Sequence, residues 1–304
     1  MIKISVFIPT FNPNLDRLSQ TLVGLQNQTF PITDWELIII DNNSDVFFAN
    51  TLDLNWHPKS KIIKEPKAGL TFARLKGFKE SIANIIIMVD DDNILDKNYL
   101  LNVYNIFKGD SDIGVIGGKS LPLFESTPPM WLHQFHSSLA LRDLGNSIIV
   151  EKWSDTYPKS APIGAGMALR KSAVIPYIEK IKSSNSIITD RTGTSLSSGG
   201  DNDIVLEILK AGWNIGYYPV LSLGHIIPRE RMSVKYLGKL NKDSTKSWII
   251  LLASHKINLW NKISKWSIIP RKIKAWFFFQ PWKNEVNYIK YKGVCGMYEA
   301  LAEI

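Results

Sequence analysis

Three consecutive aspartates, Asp90, Asp91 and Asp92, follow directly on the apolar run 85–89. Carboxylates held this close repel one another unless a cation neutralises them. Hard oxygen ligands of this kind suit Mg²⁺ or Mn²⁺, and such ions commonly bridge a protein to the phosphates of a substrate. The alternative is a solvated acidic turn that leads into the next helix. The triplet is therefore a candidate metal site whose meaning depends on the elements around it.

Strand-like and helix-like segments alternate through the first 120 residues. The four leucines of 15–25 recur at spacings of three and four, which is typical of one face of a helix. This alternation predicts βαβ units, and hence an α/β fold with a mostly parallel central sheet flanked by helices. Ligands of such sheets bind beyond the carboxyl ends of the strands. The predicted strands are KISVFIP, WELIIID, SKIIKE, NIIIMVD and IGVIGGKS.

Polar residues collect where each of the first four predicted strands ends. A stable fold does not require this arrangement, whereas a binding cleft does. We therefore expect one polar edge of the sheet to form the functional site. Its residues are Pro9, Thr10, Phe11 and Asn12 after the first strand, Asp41, Asn42, Asn43 and Ser44 after the second, Glu65, Lys67 and Gly69 after the third, and the aspartate triplet after the fourth.

The rest of the chain has weaker periodicity. Residues 120–160 lack regular periodicity and contain several prolines, and we interpret them as a partly helical segment that covers the cleft. The Gly/Ser-rich segment 183–200 predicts a mobile loop. A helix is predicted from Asp201 to about Gly212, with Asp201 as its N-cap. Asp96 is the predicted N-cap of the helix that follows the triplet.

These motifs resemble, in their order, those of the GT-A glycosyltransferases of family 2, over roughly residues 1–235. The family's opening strand ends in Pro-Thr-aromatic-Asn, as the run from Pro9 to Asn12 does. Its nucleoside-binding aspartate matches Asp41. Its Gly-x₄-Arg element matches Gly69 and Arg74.

The later motifs match the family less completely. The metal-binding Asp-x-Asp corresponds to Asp90 and Asp92. Asp201 falls on the catalytic aspartate of the family's Glu-Asp helix start, but Gly200 stands where a glutamate is usual. A histidine followed by basic residues also recurs in the family, and here it is His225 in GHIIPRERMS.

The resemblance implies a GT-A fold and a metal-dependent, inverting transfer of a sugar from a nucleotide sugar, a UDP-sugar above all, to an acceptor hydroxyl. It implies Asp201 as the general base, and Asp92 with His225 as ligands of Mn²⁺ or Mg²⁺. Arg229 and Arg231 are candidates for binding the diphosphate. The implied donor-binding residues are Pro9, Thr10, Phe11, Asn12, Asp41, Asn43, Lys67, Gly69, Arg74, Asp90 and Asp91.

Each of these residues also has a structural alternative. Asp41 can form a turn through its own carboxylate, and Arg74 can form a structural ion pair. A lone histidine such as His225 is more often a hydrogen-bonded core residue than a ligand. Asp201 can act as a cap alone, and Arg229 can simply begin the basic tail.

The C-terminal segment differs from the rest of the chain in charge. The whole protein has a net charge of +8, whereas residues 231–304 alone carry 14 Lys/Arg, 4 Asp/Glu and five of the ten tryptophans. Basic residues interleaved with aromatic ones predict contact with an anionic membrane surface. The alternative is a set of helices packed on the catalytic domain with solvated lysines outside. Nucleic acid is not an expected partner, because no binding motif accompanies the charge.

These features predict a GT-A catalytic domain over 1–230 and a basic, Trp-rich helical extension over 231–304 that contacts a membrane or the acceptor. Bacterial surface polysaccharide or lipid-linked glycan synthesis is the expected setting, by resemblance. A single cysteine and the lack of an 18-residue apolar run favour a cytoplasmic protein, peripheral at the inner face of the membrane. The competing functions are a non-catalytic GT-A-like subunit of an assembly complex and a sugar-phosphate nucleotidyltransferase. The nucleotidyltransferase requires a Gly-rich phosphate loop, and PTFNPNL stands in its place.

Overall fold

Four of the predicted strands form the parallel half of one sheet in the computed structural model, which describes residues 1–46, 48–183, 196, 199–257 and 260–304. The first strand lies between the second and the fourth, and the third pairs with the second. The strands are β1 (Ile4–Thr10), β2 (Trp35–Asp41), β3 (Ser60–Lys64) and β4 (Ile85–Met88).

The strands of the other half of the sheet are β5 (Asn93–Leu95), β6 (Ile113–Phe124), β7 (Ile149–Glu151), β8 (Ala168–Arg170) and β9 (Asn214–Ile227). β8 pairs antiparallel with β4 and β6, and β9 pairs antiparallel with β5 and β7. In the described part of the chain the strand order is β3-β2-β1-β4-β8-β6-β9-β5. The predicted strand IGVIGGKS is confirmed as the first part of β6, whereas the short β5 was not predicted, because three residues after the triplet carry no strand pattern of their own.

Helices cover both faces of this sheet, and the strands supply a separate core to each face. Val6 and Ile8 point into the core beneath α1 and α3, whereas Phe7 between them points into the core beneath α2, α4 and α5. This alternation follows from the two-residue period of a strand, and it explains why these strands are apolar throughout. Each such buried side chain contributes about 1.5–3 kcal/mol. The helices are α1 (Leu15–Gln26), α2 (Leu70–Glu80), α3 (Tyr99–Gly109), α4 (Ile175–Ser183) and α5 (Gly200–Lys210).

Two helix starts differ from the prediction. The N-cap of α3 is Asn98 and not Asp96. Asp96 lies two residues before this cap, and its Oδ1 accepts a hydrogen bond from the Asn98 N–H (2.9 Å). Asp201 lies inside the first turn of α5, which begins one residue earlier at Gly200. Most of the predicted loop 183–200 lies outside the described residues.

The described residues cluster into two compact units. The first comprises Met1–Leu123, the described residues of Ala140–Ile187, and Ile204–Ile226. The second comprises Phe124–Leu139, the described residues of Ile188–Asp203, and Ile227–Ile304. The 3₁₀ helices are Ile32–Asp34 and Ala49–Thr51 in the first unit, and Met130–Phe135, Ser137–Leu139, Arg229–Met232 and Lys265–Ser267 in the second.

The second unit is built around three helices, α6 (Val234–Ser254), α7 (Ile268–Phe279) and α8 (Glu285–Leu301). Glycines allow α6 and α8 to lie close together, because a Cβ on Gly293 would stand 2.6 Å from Asn241 Nδ2. None of the helices in the described ranges is long and apolar enough to cross a membrane.

Glu299 of α8 links all three helices of this unit. Its carboxylate Oε1 lies 2.9 Å from the Lys242 Nζ of α6 and 2.7 Å from the Lys272 Nζ of α7. Burial favours the protonated form, but the hydrogen bonds from the two lysines outweigh it and hold the pKa of Glu299 below its ordinary value. The bridge therefore stabilises the bundle at neutral pH.

Gly296→Ala tests the close packing of α6 and α8, because a Cβ at this position would overlap the backbone oxygen of Lys242. We expect the free energy of unfolding, measured by urea denaturation, to fall by about 1–3 kcal/mol through overpacking. Gly109→Ala is the matched control, since a Cβ there meets nothing within 4 Å. Equal stability of the two variants would contradict the packing described.

Candidate functional site

The carboxyl ends of β1, β2 and β4 meet at one edge of the sheet. Thr10 is in register with Asp41, and Phe7 is in register with Met88 at the end of β4. The Thr10 hydroxyl donates a hydrogen bond to the Asp91 carboxylate. Residues from three predicted strand ends therefore converge at this edge, as the motif order predicted.

The aspartate triplet forms the turn between β4 and β5. The turn is closed by a hydrogen bond from the Asn93 N–H to the Asp90 carbonyl oxygen (3.1 Å). Asp90 and Asp91 are half-buried, whereas Asp92 is buried. The Asn93 side-chain amide donates to Asp92 Oδ1 (3.1 Å). A fully solvated acidic turn, the alternative left open by the sequence, does not describe Asp92.

β5 and β9 bring His225 next to Asp92. Asn93 is in register with His225, and the Ile226 N–H donates to the Asp92 carbonyl oxygen (2.9 Å). His225 is buried, and its Nε2 lies 3.4 Å from Asp92 Oδ1. Two ligands that bind one octahedral cation at about 2.1 Å and at right angles stand about 3 Å apart. The distance between Asp92 Oδ1 and His225 Nε2 therefore fits two ligands of one divalent ion.

The loop after β2 is fixed by its own side chains. Asp41 is buried, and its Oδ1 accepts a hydrogen bond from the Ser44 N–H (2.9 Å), which is the turn-forming role that the sequence left open. Asn43 is exposed and has a φ of 61°. Asn12 joins this loop to β1, because it exchanges hydrogen bonds with Asp45, donating to Oδ2 (2.7 Å) and accepting from the backbone N–H (2.9 Å).

Asn42, which the sequence placed at the polar edge without a role of its own, is a structural residue of the site. Its Nδ2 donates to the Lys67 carbonyl oxygen (2.7 Å), and its Oδ1 accepts from the Gly69 N–H (2.7 Å). The loop after β3 is thereby tied to the end of β2. Its place directly after Asp41, at the end of a buried strand, was the available signal.

The start of α2 carries the remaining predicted residues of the first unit. Gly69 is the N-cap and has a φ of 128°, which only glycine adopts without strain. Arg74 is buried one turn further along the helix. A Cβ on Gly77 would stand 2.6 Å from the Phe7 ring, so α2 lies directly against β1. Lys67 is exposed, with its Nζ 3.9 Å from the centre of the Phe72 ring.

Pro9 and Phe11 flank Thr10 and differ in environment. Pro9 is buried within β1, whereas Phe11 is about half exposed just beyond the strand. An exposed aromatic ring at a polar edge is a surface on which a planar ligand can stack.

Asp201, Arg229 and Arg231 belong to the second unit. Asp201 is half-buried in the first turn of α5, and its Oδ1 accepts a hydrogen bond from the Asn202 N–H (3.1 Å). Arg229 is exposed and Arg231 is half-buried, both on the 3₁₀ helix Arg229–Met232 that directly follows β9.

Two residues after Asp201, the structure shows a buried pair that sequence reasoning missed. Asp203 Oδ1 lies 2.6 Å from Nε2 of His255, the residue at the C-terminal cap of α6. The side chains of both are 1% exposed. The pair anchors the first turn of α5, where Asp201 lies, to the end of α6. Neither residue stood in a recognisable motif.

The sequence and the fold together define the class of protein. A family model for glycosyl transferase family 2 matches residues 5–174, which is more than half of the chain. The chain therefore belongs to glycosyl transferase family 2, and the predicted GT-A type of α/β fold is confirmed. The matched residues include the strand ends and the aspartate triplet.

Curated relatives carry similar catalytic domains. The chain is 34% identical over 141 residues to the poly(ribitol-phosphate) beta-N-acetylglucosaminyltransferase TarP of Staphylococcus aureus (strain N315), covering 40% of this chain and 40% of that protein. It is 32% identical over 143 residues to the poly(ribitol-phosphate) beta-glucosyltransferase of Bacillus spizizenii (strain ATCC 23059 / NRRL B-14472 / W23). That alignment covers 42% of this chain and 22% of that protein. The chain thus spans less than half the length of either relative.

A solved structure extends the likeness to the whole chain. The crystal structure of S. aureus TarS 1-349 aligns with a TM-score of 0.53 at 13% identity, covering 99% of this chain and 90% of that one. At this identity the likeness establishes the fold.

Proposed function

We propose that this chain catalyses metal-dependent, inverting transfer of a sugar from a nucleotide sugar, with a UDP-sugar as the expected donor, to an acceptor hydroxyl. The observation that carries the proposal is the buried Asp92–His225 pair. It lies at a strand edge that also presents Asp41 and Thr10, in a chain of glycosyl transferase family 2. A solvated turn does not account for a carboxylate buried beside an imidazole at the carboxyl ends of the strands.

The donor-binding roles follow from the placement of the edge residues. Asp41 at the end of β2 is placed to accept hydrogen bonds from a nucleoside, and Phe11 offers a ring for stacking. Asp90 and Asp91 contact the ribose or a bound water. Arg74 holds a carboxylate or phosphate from α2. Asn12, Asn43, Lys67 and Gly69 shape the loops around the donor.

Mn²⁺ or Mg²⁺ held by Asp92 and His225 would offset the charge that develops on the departing nucleoside diphosphate. The chain supplies two further groups to the reaction. Asp201 accepts the proton of the acceptor hydroxyl as its oxygen attacks the anomeric carbon. Arg229 and Arg231 bind the diphosphate.

The acceptor class is suggested by the relatives. Two transferases that resemble this chain are named for poly(ribitol-phosphate). We propose a phosphodiester-linked polyol chain of a bacterial surface polymer as the acceptor. The polymer's free hydroxyls would be the sites of glycosylation, and its phosphates would be charge-complementary to the basic second unit.

Asp92→Ala removes one ligand of the proposed ion. We expect calorimetry to show no Mn²⁺-dependent binding of UDP, because His225 alone holds the ion too weakly. Asp112→Ala, an exposed carboxylate at the start of β6, should bind UDP as the parent does. Unchanged Mn²⁺-dependent binding in Asp92→Ala would remove the metal assignment.

Asp201→Asn separates catalysis from binding. We expect kcat for transfer to fall by about 10²–10⁴, since the amide cannot accept the proton, while UDP binding stays within about twofold. Retained turnover would show that another group is the base. Absence of transfer and of donor hydrolysis in the parent, with Mn²⁺ and any nucleotide sugar, would favour the non-catalytic subunit.

We also propose that α7 places the protein on an anionic membrane. Ile269, Ile273, Trp276 and Phe277 recur at helical spacing on one side of α7, and all four are exposed. Phe278 is 78% exposed and Trp266 is 92% exposed. The buried side of this helix carries Ala275 and a lysine bonded to Glu299, so the apolar side faces outward.

The charge around α7 favours an anionic membrane as the surface that it contacts. Residues 262–283 contain six Lys/Arg and no Asp/Glu. Exposed apolar side chains rimmed by basic residues match the interface of an anionic bilayer, where each basic group contributes about 1 kcal/mol. A second copy of this chain, with its net positive charge, lacks that complementarity.

Ile269→Gln/Phe277→Gln tests the membrane surface. We expect full-length protein to sediment with phosphatidylglycerol vesicles in low salt, and the double variant to lose most of that binding. Ile82→Gln/Val220→Gln, at equally exposed positions in the first unit, is the control. Absence of sedimentation of the parent would overturn this part of the proposal. So would a parent that is a dimer in solution and a double variant that is a monomer, because α7 would then be a subunit interface.

A further inference from the structure

A hollow in the second unit lies outside the proposed donor site. It has a volume of about 630 Å³ and is walled by α6, α8 and the 3₁₀ helix Arg229–Met232. This volume is in the range of ligand pockets, about 300–1,000 Å³. Its lining is Glu230, Ser233, Lys235, Tyr236, Gly238, Lys239, Lys242, Asp243, Tyr288 and Lys292.

Lysines dominate the charge of this hollow. Two of the four are neutralised within the protein, because Lys242 pairs with Glu299 at 2.9 Å and Lys239 pairs with Asp243 at 3.5 Å. Lys235 and Lys292 form no ion pair with a carboxylate in the described part of the chain. Glu230, an exposed carboxylate of the same lining, offsets one of these two charges, and the hollow retains a net positive charge that an anion would neutralise.

Two tyrosines and a glycine give the hollow apolar surface and hydroxyl groups in addition to its charge. The Tyr288 ring lies against α6 where residue 238 has no side chain, since a Cβ on Gly238 would stand 2.8 Å from the ring. The Lys292 ammonium lies 5.5 Å from the centre of the same ring. Tyrosine combines an apolar face with a hydroxyl that donates and accepts hydrogen bonds, so it suits a hydroxylated chain.

We infer that the α6–α8 hollow binds a phosphodiester-linked polyol chain, with Lys235 and Lys292 on its phosphates and Tyr236 and Tyr288 against its polyol units. This rests on the acceptor class proposed above and places a binding site for that acceptor in the second unit, on residues outside those predicted from the sequence. Ammonium groups bind phosphate oxygens through charge-assisted hydrogen bonds. Two unpaired lysines together with two tyrosines provide more contacts than inorganic phosphate alone can use.

The test measures the binding of a ribitol phosphate hexamer to full-length protein by calorimetry, without donor or metal. We expect Lys235→Gln/Lys292→Gln to weaken binding about tenfold or more, because both charge-assisted contacts are lost and no internal ion pair is broken. Lys97→Gln/Lys108→Gln, which removes two exposed lysines of the first unit, should bind as the parent does. Lys235→Arg/Lys292→Arg should recover most of the affinity and shows that loss in the Gln variant is not misfolding.

Two further arms separate the sources of phosphate. Inorganic phosphate should bind at least tenfold more weakly than the hexamer, and equal affinity would reduce the hollow to an anion site. Binding to phosphatidylglycerol vesicles should be unchanged in the Gln variant, and its loss without an effect on the hexamer would assign the lysines to lipid.

Transfer activity distinguishes this inference from the proposed function. If the parent transfers sugar but Lys235→Gln/Lys292→Gln has the hexamer affinity of the parent, the hollow is not the acceptor site and the transferase stands. If the parent binds the hexamer through these lysines but transfers no sugar, the hollow stands and the proposed reaction fails. A raised KM for acceptor with unchanged KM for donor in the Gln variant supports both.

Discussion

The register of the sheet at its carboxyl edge is the constraint on which the candidate site depends. Parallel pairing of β1 with β2 sets Thr10 beside Asp41. Antiparallel pairing of β5 with β9 sets His225 beside the residue that follows Asp92. A shift of one residue in either pairing would turn these side chains to the opposite face of the sheet. The two cores hold β1 and β2 in place, because both strands pack side chains into the core on each face of the sheet.

Concentrated negative charge at this edge opposes folding, and the structure shows what offsets it. Each carboxylate taken from water loses solvation, and neighbouring carboxylates add repulsion. Asp91 receives the hydroxyl of Thr10, and Asp92 receives the amide of Asn93 and lies next to His225. These hydrogen bonds stabilise the carboxylates that accept them. A bound divalent ion would remove the repulsion, and its binding energy would stabilise the folded edge.

The sequence predicts β1 to β4 and the first part of β6, but not the three-residue strands β5 and β7, for physical reasons. The apolar runs of β1 to β4 are local signals that survive without tertiary information. β5 is three residues long, and it becomes a strand only because β9, more than 120 residues later, pairs with it. The same separation hid the contact between Asp92 and His225, which rested on resemblance alone. The roles of Asn42 and of the Asp203–His255 pair likewise depend on partners that are distant in the sequence, which a local pattern cannot predict.

The basic residues of 231–304 have roles that the composition alone does not predict. They fall into two groups that the net charge does not distinguish. Lys242 and Lys272 bond to Glu299 and hold the three helices together, and Lys246 bonds to Glu303 just after α8. Lys235 and Lys292 line a hollow, and the basic residues of 262–283 other than Lys272 lie near exposed aromatic rings in the sequence. Charge of the first kind is neutralised by folding. Charge of the second kind repels itself in the folded unit until an anion binds, so any anion that fits there stabilises the unit in proportion to its affinity.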